Sequence, residues 1–128
     1  MLNMVYDAGA LTCADDDDPR FWQAHRRLTG HGFRPLVPAL VLAQVIQNGS
    51  RQAKLNRALR GCAVVDFDEE YARLVGGLLA DSKTEDVVDA SVVITARAHG
   101  EAIILTSDVG DLEHLVNAAG SKILVKGL

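Results

Sequence analysis

The sequence predicts an α/β fold: a three-layer α/β/α sandwich around a mostly parallel, five-stranded sheet. Three observations predict it. Short apolar runs of strand length alternate with longer stretches of helical spacing along the whole chain. The run Ala102-Ile103-Ile104-Leu105-Thr106 is apolar without alternation, as a parallel strand covered on both faces must be. The preceding stretch, 85–99, is apolar on nearly every helical face, which suits a helix packed centrally.

Taken in order, Met4-Val5-Tyr6 reads as a short strand ending at Asp7, and 8–14 as a helix. Asp15-Asp16-Asp17-Asp18-Pro19 is a solvated loop that also starts a helix, since Asp18 can cap and Pro19 suits the first helical position. That helix covers 20–29 and closes at Gly30. Leu36-Val37 is a strand leading into Pro38. A helix over 39–47 stops at Asn48-Gly49, and Ser50 caps another over 51–59, with Gly61 behind it. Ala63-Val64-Val65-Asp66-Phe67 is a strand. Asp68-Glu69-Glu70 then places negative charge at the positive end of a helix reaching 80. Thr84 caps the apolar helix 85–99, which ends at Gly100. After the strand 102–106 comes a helix over 109–119, closed by Gly120, and a last strand, Lys122-Ile123-Leu124-Val125. Right-handed crossovers in such a sheet place ligands at the carboxyl ends of the strands.

A chain of 128 residues is the length of a single domain, 1–128. At 48% hydrophobic residues it carries apolar mass for one core, which excludes a disordered or collagen-like chain. No apolar run approaches the ~18–20 residues needed to cross a membrane. The N-terminus lacks the basic-then-apolar pattern of a secretory signal, so a cytoplasmic location is expected. Cys13 and Cys62 make neither a disulfide framework nor a zinc site and read as free thiols. With 13 basic residues against 17 acidic, a net charge of −4 excludes a general nucleic-acid coat. Any nucleic-acid contact runs through a local patch, a partner or a metal.

Carboxylates fall at revealing places on this scaffold. Asp7 follows the first strand and Asp108 the most hydrophobic one. Asp86 and Asp89, three apart, open the most apolar helix on one face. Three separate segments therefore bring acids to the same rim. Two carboxylates ~5 Å apart repel by about 3 kcal/mol at an effective dielectric near 20, and a hard divalent cation relieves that repulsion. Each acid also has a structural role open to it: Asp7 and Asp108 can cap the helices that follow, and Asp86 can complement a helix dipole. Asp89, beyond the cap of its helix, has no such role.

These residues resemble a known family. Asp7 after the first strand, the segment Val37-Pro38-Ala39-Leu40-Val41-Leu42-Ala43-Gln44-Val45, the stretch Asp86-Val87-Val88-Asp89-Ala90-Ser91-Val92-Val93-Ile94-Thr95-Ala96, and Leu105-Thr106-Ser107-Asp108 look like a PIN domain, over essentially the whole chain and in the right order. The likeness is to small bacterial VapC-type toxins, metal-dependent ribonucleases held inactive by a cognate antitoxin. It implies that Asp7, Asp89 and Asp108 bind Mg²⁺ or Mn²⁺, that Asp86 and Asp111 flank or assist them, and that Thr106 or Ser107 orients a carboxylate or a water. It implies an RNA substrate, a cognate antitoxin and a homodimer. Gln44 departs from the pattern, which carries Glu there. Its carbonyl can still hold a metal or its water, but it adds no charge and cannot act as a base. The alternative function is therefore a catalytically weakened PIN-like module that binds RNA or protein.

Other residues read more plainly. His25, His31, His99 and His114 lack the His-x-x-x-His spacing of a helical metal site, and no Walker, Rossmann or Gly-x-Ser-x-Gly motif occurs. Arg51, Lys54 and Arg57, spaced by three, form a face that can grip RNA phosphates or simply meet solvent. Val41, Leu42, Val45 and Ile46, with Leu55, Ala58 and Leu59, are expected to exceed what one small core buries, and so to offer a dimer or antitoxin surface. Phe21 and Trp22 belong either to that surface or to the core.

Overall fold

The computed structural model describes residues 3–47, 51–100, 102–120 and 122–128. Its elements run β1 (Asn3–Tyr6), α1 (Ala8–Asp15), α2 (Pro19–Gly30), β2 (Leu36–Pro38), α3 (Ala39–Val45), α4 (Ala53–Arg60), β3 (Ala63–Val65), α5 (Glu69–Ser82), α6 (Val87–Ala98), β4 (Ala102–Thr106), α7 (Val109–Ala119) and β5 (Leu124–Gly127). All five strands pair in parallel, in the order β3-β2-β1-β4-β5. The chain builds outward from β1 through β2 to β3, then crosses back to β4 on the other side. The order reverses between β1 and β4, and in open parallel sheets ligands bind at such a reversal, beyond the strand carboxyl ends.

The centre of the sheet is dry. Val5, Tyr6 and Ile104 are fully buried and Leu105 nearly so. Tyr6 sits beside Leu105 in register, so Asp7 emerges next to Thr106. Helix α6 packs across β1, β2 and β4, and every residue from Ala90 to Ala96 is buried, as its unbroken apolar character requires. On α2, Phe21, Trp22 and His25 turn inward; Phe21 and His25 meet Tyr6, and Trp22 packs edge-on against both of them, so both aromatics belong to the core. Trp22 Nε1 donates to the Ala14 carbonyl at 3.3 Å, which ties α2 to α1.

Several boundaries differ from the sequence reading for identifiable reasons. The cap of α6 is Asp86, whose carboxylate accepts from Asp89 N at 2.9 Å, so the helix starts at Val87. Thr84 instead pairs with the Ser82 hydroxyl at 2.9 Å. A charged acceptor aimed at an N3 amide outcompetes a hydroxyl two residues upstream. Helix α3 ends at Val45 rather than 47, and α4 starts at Ala53 rather than 51. Gln52 stands between them: its Nε2 donates to Val45 O at 2.9 Å and to Asp15 at 3.2 Å, and its Oε1 accepts from Gln47 N at 3.0 Å. The expected stop at Asn48-Gly49 and cap at Ser50 lie outside the described residues. Helix α2 runs through Gly30, and the left-handed residue that follows its end is Gly32, with φ of +83°. Strand β3 ends at Val65, and β5 lies two residues later than expected, because Thr106 pairs as far as Gly127.

The apolar surplus expected on α3 and α4 is largely absorbed. Val41, Val45, Leu55 and Ala58 are buried, Leu42 and Leu59 are half-buried against the core, and Ile46 alone of that set is exposed. The faces close on one another because α1 packs against both α3 and α4. Deleting buried methylenes at the central helix is expected to be costly. Ile94→Ala should lower the unfolding free energy by about 2–5 kcal/mol in a urea titration, whereas Leu124→Ala, at a position 67% exposed, should change it by under ~0.5 kcal/mol.

Candidate metal centre at the carboxyl edge

Asp7 is the most ordered of the acids. Only 5% exposed, it caps α1 by accepting from Ala10 N at 2.8 Å. Its second oxygen accepts the Thr106 hydroxyl at 2.5 Å. The Thr106 oxygen in turn accepts Asp108 N at 2.9 Å. The hydroxyl has one hydrogen, and the shorter contact takes it, so Thr106 donates to Asp7 rather than to the Asp108 carbonyl 3.2 Å away. One buried hydroxyl thus joins the end of β1 to the start of α7. The close approach needs room: a Cβ on Gly9 would come within 2.2 Å of Ser107 Oγ. Ser107 itself is exposed.

Asp108 occupies the cap position of α7, yet its side chain makes no capping hydrogen bond. The carboxylate is therefore left over by the helix it precedes. Contrary to the expectation that it has no helix role, Asp89 lies in the first turn of α6, where an acid complements the helix dipole; half-buried, it lines a cavity of about 220 Å³ with Thr84, Asp86, Gly110, Asp111, His114 and Leu115. Its carboxyl is pushed up to about 7, first by burial, then by the charges of Asp86 and Asp7, a hydrogen bond with Asp86, and the charge of Asp111. Burial also raises Asp7, with a smaller push from Asp108, and the bonds from Thr106 and Ala10 N work against both.

Asp7, Asp89, Asp108 and Asp111 are thus linked through mutual repulsion at the sheet's reversal point, with Asp86 beside Asp89. Among the described residues, however, no three acidic, histidine or cysteine side chains form a ready-made cage. A small hard cation does not require one, since Mg²⁺ takes one or two carboxylates, keeps several waters and completes its shell with substrate phosphate. An all-oxygen donor set in which burial and neighbouring acids raise Asp7 and Asp89 fits such an ion.

The remaining site residues lie elsewhere. Gln44 is exposed on α3 and lines a separate cavity of about 150 Å³ with Thr12, Asp15, Val45, Gln47 and Gln52. Arg51 precedes the first turn of α4, Lys54 pairs with Asp17 at 3.1 Å, and the Arg57 guanidinium lies 4.4 Å over the Trp22 ring. The three do not form one free basic face. His114, which the sequence reading set aside, borders the acidic cavity. Its Nε2 donates to the Ser82 carbonyl at 3.1 Å, which holds the ring against α5. Its spacing of three from Asp111 on α7 was the signal available.

A carboxyl raised by folding stabilises the protein at low pH and loses that contribution as pH rises through its folded value. In metal-free protein above pH 7, Asp89→Asn should therefore raise stability by about 1–2 kcal/mol, allowing for solvent screening of a half-exposed group. The gain should fade by pH 4, read as melting temperature against pH in EDTA.

No family model and no curated protein matches this sequence. Solved structures do. The VapBC2 complex of Rickettsia felis, bound to a DNA fragment from its promoter, aligns over 100% of this chain and 99% of its own, with a TM-score of 0.73 and 16% identity. DNA-bound VapBC of Salmonella typhimurium aligns over 99% and 98%, with a TM-score of 0.73 and 15% identity. FitAcB of Neisseria gonorrhoeae aligns over 94% and 96%, with a TM-score of 0.63 and 18% identity. Aligned over nearly its whole length with each of them, the chain has the PIN-type fold of these toxin–antitoxin structures.

Proposed function

We propose that the chain is a divalent-metal-dependent endoribonuclease and the toxin of a toxin–antitoxin pair. The observation that supports this reading is electrostatic: Asp7 feels the charge of Asp108, and Asp89 feels Asp86, Asp7 and Asp111, in segments that leave the sheet where its strand order reverses. The toxin–antitoxin complexes among its structural neighbours support an antitoxin as partner. A homodimer and a cytoplasmic setting belong to the same reading. No helix among the described residues is long and apolar enough to cross a membrane.

In this reading Asp7, Asp89 and Asp108 hold Mg²⁺ or Mn²⁺, with Asp86 and Asp111 beside them. The cation, when bound, supplies the charge that acidifies a water and offsets negative charge building on the phosphate. The chain's own work is positioning. Thr106 and Ala10 N lock both Asp7 oxygens, so Asp7 meets its ligand without losing further rotamer freedom. Asp108 has no helix duty to give up. Asp89, raised to about 7 by burial and by the acids around it, would be the carboxyl most relieved by a cation's charge. RNA cleavage should be abolished by EDTA and restored by Mg²⁺ or Mn²⁺. Asp7→Asn, Asp89→Asn and Asp108→Asn should each lower the rate by about 10²-fold or more. Cleavage that survives EDTA and all three variants sinks the proposal.

The position of Gln44 favours a second reading, a weakened module that binds RNA or protein. An exposed neutral amide in a cavity of its own brings no charge to the acidic edge. Gln44→Glu separates the two readings. A large gain in cleavage points to a degenerate centre, whereas a loss or no change shows that the amide is compatible with native catalysis.

A further inference from the structure

Between α2 and α4 lies an open groove of about 420 Å³, lined by Trp22, His25, Arg26, Thr29, Arg57 and Gly61. It is remote from the acidic cavity in composition as well as in lining, sharing no residue with it. His25 is only 5% exposed, and its Nδ1 lies 2.8 Å from the Tyr6 hydroxyl. Tyr6 is fully buried, its hydroxyl has no other partner among the described residues, and burial drives its ionisation far above the ordinary range. The hydroxyl is therefore protonated and must donate to Nδ1. His25 is itself held neutral by burial and by Arg26. A neutral ring that accepts at Nδ1 carries its proton on Nε2. That N–H has no hydrogen-bond partner among the described residues, yet no buried side-chain polar atom among them goes unsatisfied. It must then reach the open groove. Gly61 keeps that path clear, since a Cβ there would stand 3.1 Å from Nε2.

Three donor-bearing side chains from two helices, His25, Arg26 and Arg57, thus line a space kept free by a missing side chain. Arg57 is steadied by the Trp22 ring beneath it. Three N–H directions and two positive charges match the several oxygens of a phosphate. We infer that the α2–α4 groove is a phosphate-binding subsite that takes the backbone of RNA outside the metal centre. In a chain of net charge −4, such a local patch is what a nucleic acid needs to dock.

The inference rests on the ribonuclease reading for its ligand but is tested without metal or cleavage, so the two fail separately. Trp22 is the only tryptophan, and its fluorescence reports on the groove. In EDTA, a 2′-O-methyl RNA oligonucleotide should quench or shift Trp22 emission saturably. Log affinity should fall with log salt with a slope of about −1.4 for two neutralised phosphates. Arg26→Gln with Arg57→Gln should weaken binding at least tenfold. Gly61→Ala, which removes no charge and adds one methyl beside Nε2, should also weaken it several-fold. Arg73→Gln, which removes an exposed positive charge on α5 outside the groove, should leave it unchanged. Inorganic phosphate titrated alone identifies the source: saturation at similar strength marks a site for free phosphate groups, and tight binding of the oligonucleotide only marks the RNA backbone. Equal affinity for wild type, the double arginine variant and Gly61→Ala overturns the subsite.

Discussion

The parallel pairing of β1 with β4 is the constraint on which the other features depend. These two strands are distant in sequence, and their register places Tyr6 against Leu105 and therefore Asp7 against Thr106. The pairing survives because both faces of it are covered, by α6 on one side and the aromatic side chains of α2 on the other. Parallel strands need such cover, since neither face can be left to water. Once the register is set, the Thr106 hydroxyl can accept an amide from the β4–α7 junction while donating to the Asp7 carboxylate. A slip of one residue would turn every one of these side chains to the opposite face.

The same geometry that stabilises the edge loads it with charge. Asp7 has its oxygens satisfied by neutral donors, but no basic side chain reaches it through an ion pair among the described residues. Asp89 is worse placed, with Asp86, Asp7 and Asp111 around it. Proteins seldom retain a half-buried acid among acids without a compensating role, because the cost grows as solvent is excluded. On the proposed reading, folding stability and ligand binding pull in opposite directions: the repulsion weakens the free chain and would be relieved by a cation. Basic side chains are instead held on α2 and α4, where Lys54 pairs with Asp17 of the α1–α2 loop, Arg57 lies over Trp22, and Arg26 lines the same groove.

Much of the architecture was legible in the residues. The strand-helix alternation, the central burial of 102–106 and of the helix before it, and the Asp18-Pro19 start of α2 all follow from local chemistry. So do the Asp68 start of α5 and the Gly120 stop of α7. The misplaced boundaries have a common cause. Thr84 and Asp86 both offer a capping oxygen, and only the packing of α5 on α6 decides which one faces the free amides. Gln52 gave no local signal at all, since its three partners come from α1, α3 and the segment between α3 and α4.

From residue order alone came the elements, the fold class, the resemblance to a PIN domain and the candidate acids, because periodicity, caps and charge are local properties. Tertiary structure alone decided how those acids relate. It made Asp7 a bridged cap and left Asp108 without a helix partner. It gave Asp89 its raised carboxyl, put Gln44 beside a different cavity, and brought His25 and Arg26 on one helix together with Arg57 and Gly61 from another. The physical reason is that hydrogen bonds, desolvation and repulsion act across a few ångströms of space, and chain position does not record which distant residues will share them.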